Sequence, residues 1–373
     1  MAGTYIQFVD DSVDTALADA INDYQSISGR TLGNADPEML LINAFAYRMA
    51  KIRTQINYVG NQNLIANATG AALDELAAKF DVFRLDPSAA EVAILFTTVA
   101  GAPTLVIAAG TQIKSQDGLV LFATNADLTI LTGAITGTVD ATCTTPGVIG
   151  NGYLSGMVSI IVDPQPFVTT ASNTSTTTGG SDAETDDQLR IRIPLASSTF
   201  SVAGPYDGYV YWAKTASPSI IDVSITTPVP GTVNIYPLLA DGVIPDSAIL
   251  DLVEGVCSGR KVRPLNDTVV AVAPTAVNYS LTASITVLAN FNTTAVSAQV
   301  LANLNAFVNV WTNGWGALGY DIIVDQLIGQ CMNVPGVYSV DFGGLTDTIL
   351  DDTEFSNCTG VTVNVVGVVS EPH

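Results

Sequence analysis

One histidine occurs in the 373 residues, and it is the last of them, His373. That scarcity excludes Ser-His-Asp and Cys-His nucleophilic catalysis and any histidine-ligated metal site. Positive charge is scarce too: 13 basic residues stand against 35 acidic ones, a net charge of −22. Affinity for phosphate comes from clustered Lys and Arg, and no basic stripe exists here. Neither nucleic acid nor an anionic membrane surface is expected as a partner. The four cysteines, Cys143, Cys257, Cys331 and Cys358, are far apart and form no C-x-x-C pair. Free, mostly buried thiols from a reducing cytosol are expected, in place of a disulfide framework or a metal cluster. Gly204-Pro205-Tyr206-Asp207-Gly208 lacks the Gly-Lys-Ser/Thr that a phosphate-cradling loop requires. No catalytic, cofactor-binding or metal-ligating residue is expected.

Charged residues of both signs make up only 13 % of the chain, about half the usual ~25 %. Apolar residues make up 48 %, the reverse of a disordered composition. Two readings of so uncharged a surface remain open. It suits permanent burial against other subunits, because interface cores are depleted of charge. It equally suits a secreted, β-rich protein that dresses its surface with Thr, Ser and Asn. The start, Met1-Ala2-Gly3-Thr4-Tyr5, has no basic residue and meets Asp10 and Asp11 early, unlike a signal peptide. Residues 92–113 carry no charge, but Gly101, Pro103 and Gly110 interrupt the run. A hairpin of two buried strands is expected there, not a membrane span.

The hydrophobic period divides the chain. Residues 1–86 read as helical: Asp36-Pro37-Glu38 has a capping Asp and a first-turn Pro. Leu40, Leu41, Ala44, Phe45, Arg48, Ile52 and Ile56 then follow at spacings of three and four, forming one apolar stripe. A second helix is expected over residues 71–80. The charges at Arg48, Lys51 and Arg53 are read as solvating an outer face. From 87 to 178 the period becomes two, with turns at Gly110, Gly118, Gly133, Gly147 and Gly156, the pattern of a small sandwich or barrel. Asn173 to Thr178 has almost nothing to bury and reads as a linker. Helices and strands alternate through 179–274 and again through 275–373. The fold expected is therefore α+β and multidomain: N-terminal helices, a β-rich middle domain, then two small α/β units.

The most informative stretch is Gly179 to Arg192. Thr185 and Gln188 have capping-box spacing, and Asp186 and Asp187 fall in a first helical turn where the dipole favours carboxylates. Asp182, Glu184, Asp186 and Asp187 lack the alternation, central Gly and terminal Glu of a calcium loop, so capping accounts for them better. Arg263, in Val262-Arg263-Pro264-Leu265, is read as tying a helix C-terminus to the next strand instead of clamping a partner carboxylate. Trp311, Trp315 and Tyr320, interleaved with glycines, either fill a core beside a turn or present a sugar-binding or interface loop.

In their order along the chain these stretches resemble the baseplate J-like family, the wedge proteins of contractile phage tails and related injection machines. The residues that carry the likeness are Ile107-Ala108-Ala109-Gly110-Thr111, Gly147-Val148-Ile149-Gly150-Asn151, Gly179-Gly180 leading to Glu184-Thr185-Asp186 and Arg190, Gly204-Pro205, and Val262-Arg263-Pro264-Leu265. Ala108-Ala109 departs from the family's frequent proline-alanine pair, and the C-terminal third carries no matching motif. The resemblance implies a non-enzymatic virion component of the tail baseplate, assembled in the host cytoplasm. It implies as partners other wedge proteins and a second copy of the chain, with indirect links to hub and tail-fibre parts and a role in releasing sheath contraction. Two alternatives stay open. One is a surface adhesin or carbohydrate-binding protein; the other is a glycoside hydrolase using a carboxylate pair, which 35 acidic residues would also produce by accident.

Overall fold

A computed structural model describes residues 4–33, 35–200, 204–311 and 314–370. The chain divides into a helical unit, 1–84 with 185–197, and a larger mixed unit, 85–184 with 198–373. In the helical unit α1 (Val13–Ser28) packs on α2 (Pro37–Asn61). The Ser12 hydroxyl accepts from the Thr15 N–H and caps α1. Pro37 opens α2 as its position predicts, but the expected Asp36 cap does not form. The Asp36 carboxylate instead accepts from the Gly33 N–H at 2.9 Å, closing the turn before the helix.

The buried face of α2 also differs from expectation. Ile42, Ala46, Ala50, Asn57 and Asn61 are buried, with Ala16 of α1 against the two alanines. Small side chains at steps of four let the two backbones approach closely. The apolar stripe read from the sequence is a real helical face, yet it lies outside this seam. Leu40 is 79 % exposed, Leu41 75 % and Phe45 59 %, and Ile52 and Ile56 are also exposed.

Asn57 and Asn61 hold the segment before α1. The Asn57 carboxamide accepts from the Phe8 and Val9 N–H groups and donates to the Val9 carbonyl, all within 2.9 Å. Asn61 makes the same reciprocal pair with Ile6. Replacing Asn57 leaves partly buried backbone donors without acceptors, a loss of about 1 kcal/mol. Asn57→Ala is therefore expected to expose the Phe8 and Val9 amides to hydrogen exchange while the α1–α2 amides stay protected; unchanged protection would refute the clamp.

Helix α3 (Ala71–Ala78) is two residues shorter than expected, and α4 (Asp186–Leu195) packs with it in the helical unit. Leu189 and Ile193, four apart on α4, are fully buried, as are Leu73 and Ala77 of α3. Sequence order puts α4 at the head of the 179–274 segment, whereas its buried face belongs to the helical unit.

In the mixed unit, strands β1 (Glu91–Thr98), β2 (Leu105–Ile107), β3 (Gln112–Ser115), β4 (Leu121–Thr124), β5 (Leu128–Ile130), β6 (Thr136–Cys143), β7 (Val158–Ile161) and β8 (Val168–Asn173) come first. They make a six-stranded sheet in the order β7-β3-β4-β6-β1-β8, plus the pair β2-β5. The expected hairpin over 92–113 is not formed: β1 pairs with β6 and β8, and β2 pairs with β5. The intervening residues include Gly101 and Pro103, and the chain leaves the sheet there instead of turning back along β1. Alternate side chains point inward, including Ile94, Phe96, Ile113, Phe122 and Val158. The two sheet edges meet at Asn173, which accepts from Val158 N–H through its side chain and from Gly156 N–H through its carbonyl. The sheet is thus nearly a closed barrel.

The linker expected at 173–178 is a structured part of this barrel. Thr174 N–H donates to Ala93, Thr177 to Tyr153, and Thr178 exchanges backbone hydrogen bonds with Glu91. The buried Thr177 hydroxyl also donates to the Gly150 carbonyl at 2.7 Å. Polar composition signalled a linker only because these residues bury backbone-directed hydroxyls and amides, not apolar mass.

After the barrel come α5 (Tyr206–Ala216), β9 (Ile220–Val229), β10 (Thr232–Leu239), α6 (Ser247–Cys257) and β11 (Thr268–Ala271). Strand β10 is antiparallel to β9 and parallel to β11, with α6 as the crossover. The last region has β12 (Thr275–Leu288), α7 (Thr293–Val308), α8 (Val324–Met332), β13 (Val337–Asp341) and β14 (Glu354–Val369). Its sheet runs β13-β12-β14, with β14 parallel to β12. Leu281, Ala283, Ile285, Val300, Leu304 and Trp315 centre its core. The chain is accordingly α+β, with N-terminal helices, a near-barrel and two further α/β units. Among the described residues no helix is long and apolar enough to cross a membrane.

Candidate functional site

The motif residues of the sequence gather into three clasps. In the helical unit the capping box forms as its spacing requires: the Gln188 N–H donates to the Thr185 hydroxyl, and the Gln188 side chain accepts from the Thr185 N–H at 2.9 Å. Asp186 accepts from the Gly70 N–H at 3.1 Å and from the Arg84 guanidinium at 2.7 Å, and Arg84 also binds Asp74 at 2.6 Å. Arg190 donates to the Ala68 carbonyl and to Asp187, and Arg192, only 2 % exposed, donates to the Phe83 carbonyl. Arginine's fork of donors lets α4 grip loop carbonyls before and after α3.

Partial burial by itself would raise the Asp186 carboxyl, but the Gly70 N–H and the Arg84 charge outweigh it and hold the group below its ordinary 3.8. A depressed folded-state value stabilises the fold fully above the unfolded value and is lost as pH falls through the folded one. Melting of the helical unit is expected to become acid-sensitive only below about pH 4. Asp186→Asn should remove that part of the sensitivity and cost about 1 kcal/mol at neutral pH, since the partners are partly solvated. An unaltered acid profile in the variant would refute the assignment.

The second clasp joins the motif at 147–151 to Gly179-Gly180 inside the barrel. The Asn151 carboxamide donates to the Gly180 carbonyl at 2.8 Å and accepts from its N–H at 2.9 Å. Asp182 accepts from the Val148 N–H, and Glu184 from the Leu85 N–H. A Cβ on Gly180 would lie 2.4 Å from the Gly147 carbonyl oxygen, so only glycine fits this approach. Of the four acidic residues, Asp182 and Glu184 thus take backbone N–H groups, Asp186 a backbone N–H and an arginine, and Asp187 an arginine.

The third clasp sets Gly204 against Pro264, whose ring carbons would stand 3.2 Å from a Cβ there. Arg263 donates to the Ser258 carbonyl at the end of α6 and to the Asp267 and Pro264 carbonyls before β11. That is the helix-to-strand tie expected from the sequence. Ile107 to Thr111 ends β2 in a turn where the Thr111 and Thr124 hydroxyls both donate to the Ala108 carbonyl.

The aromatic loop fills the C-terminal core. Trp315 is 1 % exposed, with its indole N–H on the Tyr279 hydroxyl at 2.5 Å and its ring 5.0 Å from Phe307. Thr312 and Asn313 of this loop lie outside the described residues. Two clefts in the mixed unit carry acidic residues. One, of about 420 Å³, includes Val148, Val243, Ile244 and Asp246. Asp246 there caps α6 and accepts from the Thr178 hydroxyl. The other, of about 410 Å³, includes Tyr206, Asp222, Tyr320 and Asp352. Both Asp222 oxygens take backbone N–H groups, from Val223 and Leu318. The Ser12 N–H lowers Asp10, and the Leu119 N–H lowers Asp117. Burial pushes the Cys257 thiol up to about 12 and Cys331 to about 11, away from thiolate chemistry.

What the sequence did not signal is the Asn57–Asn61 clamp and the exposure of the α2 stripe. Asn in a helix interior gives no sign of which backbone it reads. Nor does an apolar stripe say whether its partner is within the chain.

Three family models match: the Baseplate J-like N-terminal domain over residues 34–91, the Baseplate J-like protein barrel domain over 93–180, and the Baseplate J-like central domain over 201–273. Baseplate protein J of Escherichia phage P2 is 29 % identical over 179 residues, which is 47 % of this chain and 57 % of that protein. A solved structure of the anti-feeding prophage baseplate contains a chain with a TM-score of 0.44 at 12 % identity, covering 94 % of this chain and 90 % of that one.

Proposed function

The chain belongs to the Baseplate J-like family, and from that premise we propose that it is a structural component of a contractile-tail baseplate, a wedge protein that links hub to periphery. The observation that carries this reading is the exposed apolar face of α2. Leu40, Leu41, Phe45, Ile52, Ile56 and Val59 are all exposed on this one helix. Exposed apolar patches of this kind mark surfaces that other proteins cover. Low surface charge over a −22 chain supports the same view: the faces that meet other subunits are the uncharged ones.

In this proposal the protein performs no reaction, binds neither nucleic acid nor membrane, and takes as partners other wedge proteins and a second copy of itself. It assembles in the host cytoplasm and resides in the virion tail, where rearrangement of its contacts helps to release sheath contraction. Its organisation is 1–86, 87–178, 179–274 and 275–373, with α4 lent by the third segment to the helical unit. Antibody raised against the purified chain should label the distal plate of intact tails in electron micrographs, and the chain should co-purify with neighbouring tail proteins. Recovery of the chain only apart from particles would overturn the reading.

A further inference from the structure

The family matches end at residue 273, and the region beyond it ends in an unusual strand. β14 is 16 residues long and lies at the edge of its sheet, paired only with β12 over most of its length. An edge strand presents alternate N–H and C=O groups to the outside as a template for another strand. Natural edges are guarded with Lys, Pro or inward charges, yet Phe355 to Val369 contains no charged residue and no proline. Two register shifts, each with one extra residue on β14, divide it into three stretches that pair evenly with β12: Glu354–Cys358, Val361–Val365 and Gly367–Val369. Bulges end regular pairing, and the first stretch is already bridged at Phe355 by Leu318, so the middle five residues are the longest even stretch left open. The five residues read Val361-Thr362-Val363-Asn364-Val365, which is nearly the same in both directions.

We infer that the outer edge of β14 pairs antiparallel with the same edge of a second copy of this chain, about a two-fold axis at Val363. A two-fold interface must be self-complementary, and this segment is. Val361 then stands opposite Val365, Val363 opposite its own copy, and Thr362 opposite Asn364. Each of these is a favourable cross-strand pairing of β-branched or hydrogen-bonding side chains. Val361 and Val363 are half-buried and Val365 is exposed, so a neighbouring strand would cover apolar surface on the side of the sheet that α7 packs against. The stretch is free of charge in a chain of −22, which removes the main obstacle to two copies meeting there. A five-residue ladder is small against the ~1,200–2,000 Å² of a stable interface, so it joins copies that other contacts already bring together. The inference rests on the second-copy partner proposed above and assigns it a surface.

The test uses the full chain with Val363→Cys under mild oxidation, compared with Ile349→Cys, which is 73 % exposed in the same region. Opposed Cβ atoms across an antiparallel pair are about 4.5–5.5 Å apart, within disulfide reach once the thiols turn inward. Val363→Cys should give a covalent dimer on a non-reducing gel at least ten times faster than Ile349→Cys, faster still at high salt where the −22 charges are screened. Adding Thr362→Lys and Asn364→Lys, both on the exposed face, should abolish it. Equal rates for the two cysteines, or indifference to the lysines, would overturn the pairing, whether because another segment covers the edge or because nothing does. Should Val363→Cys not fold by circular dichroism, Thr362→Cys with Asn364→Cys gives the same reading from exposed positions. Failure here leaves particle labelling intact, and failure of labelling leaves this cross-link intact.

Discussion

A chain carrying Leu41→Glu and Phe45→Glu is expected to fold and melt as the unaltered chain does and yet to be missing from tails. Both side chains stand in solvent on α2, 75 % and 59 % exposed, and outside the Ile42-Ala46-Ala50 seam. Surface changes away from packed features stay within about 0.5 kcal/mol. In the assembled particle the same positions are buried under the proposed reading. Each lost apolar side chain then forfeits about 1.5–3 kcal/mol of burial, and each carboxylate must be desolvated without a partner. Every ~1.4 kcal/mol is tenfold in an equilibrium, so incorporation should fall by at least about 100-fold. Complementation of a strain lacking the chain, scored by particle blots beside a thermal melt, separates the two effects. Normal incorporation at normal stability would mean that the stripe stays in water, and the structural reading would lose its main support.

Gly180→Ala should be the most damaging single methyl group in the barrel. The added carbon would sit 2.4 Å from the Gly147 carbonyl oxygen, 2.9 Å from Asn151 Oδ1 and 3.2 Å from the Ala90 nitrogen. Two of these are backbone atoms, which cannot swing aside as a flexible side chain does. Either the 147–151 turn moves away and loses both Asn151 hydrogen bonds, or the clash is absorbed as strain. Overpacking costs about 1–3 kcal/mol, and a lost buried hydrogen-bond pair adds to that. At about 2–4 °C per kcal/mol, a fall in melting temperature of roughly 6–12 °C is expected. Thr176→Ala, on an exposed residue of the same segment, should change it by about 2 °C or less. Were 173–180 a free linker, the two variants would behave alike.

Most elements were legible because they are written in local terms. Helix α4 is announced by the capping-box spacing of Thr185 and Gln188. The barrel is announced by a period of two broken by glycines. Arg263 was legible because a proline after a helix end leaves few other uses for a guanidinium. The aromatic loop was not, since Trp315 could fill a core or a binding surface with the same neighbours in sequence. The 173–178 segment misled because Thr and Asn were counted as solvent-loving, whereas Asn173 and Thr177 bury themselves on backbone groups 15 to 27 residues away.

The sequence by itself determined the class of the protein and the kind of surface it has: periodicity sets helix against strand locally, and charge is a sum that needs no geometry. Tertiary structure alone decided the partners of those elements. It placed α4 with α3 though about a hundred residues separate them, left the α2 stripe open, and turned a polar run into the closing seam of a barrel. Each of those outcomes depends on which distant backbone a side chain meets, and long-range pairing leaves no trace in local spacing.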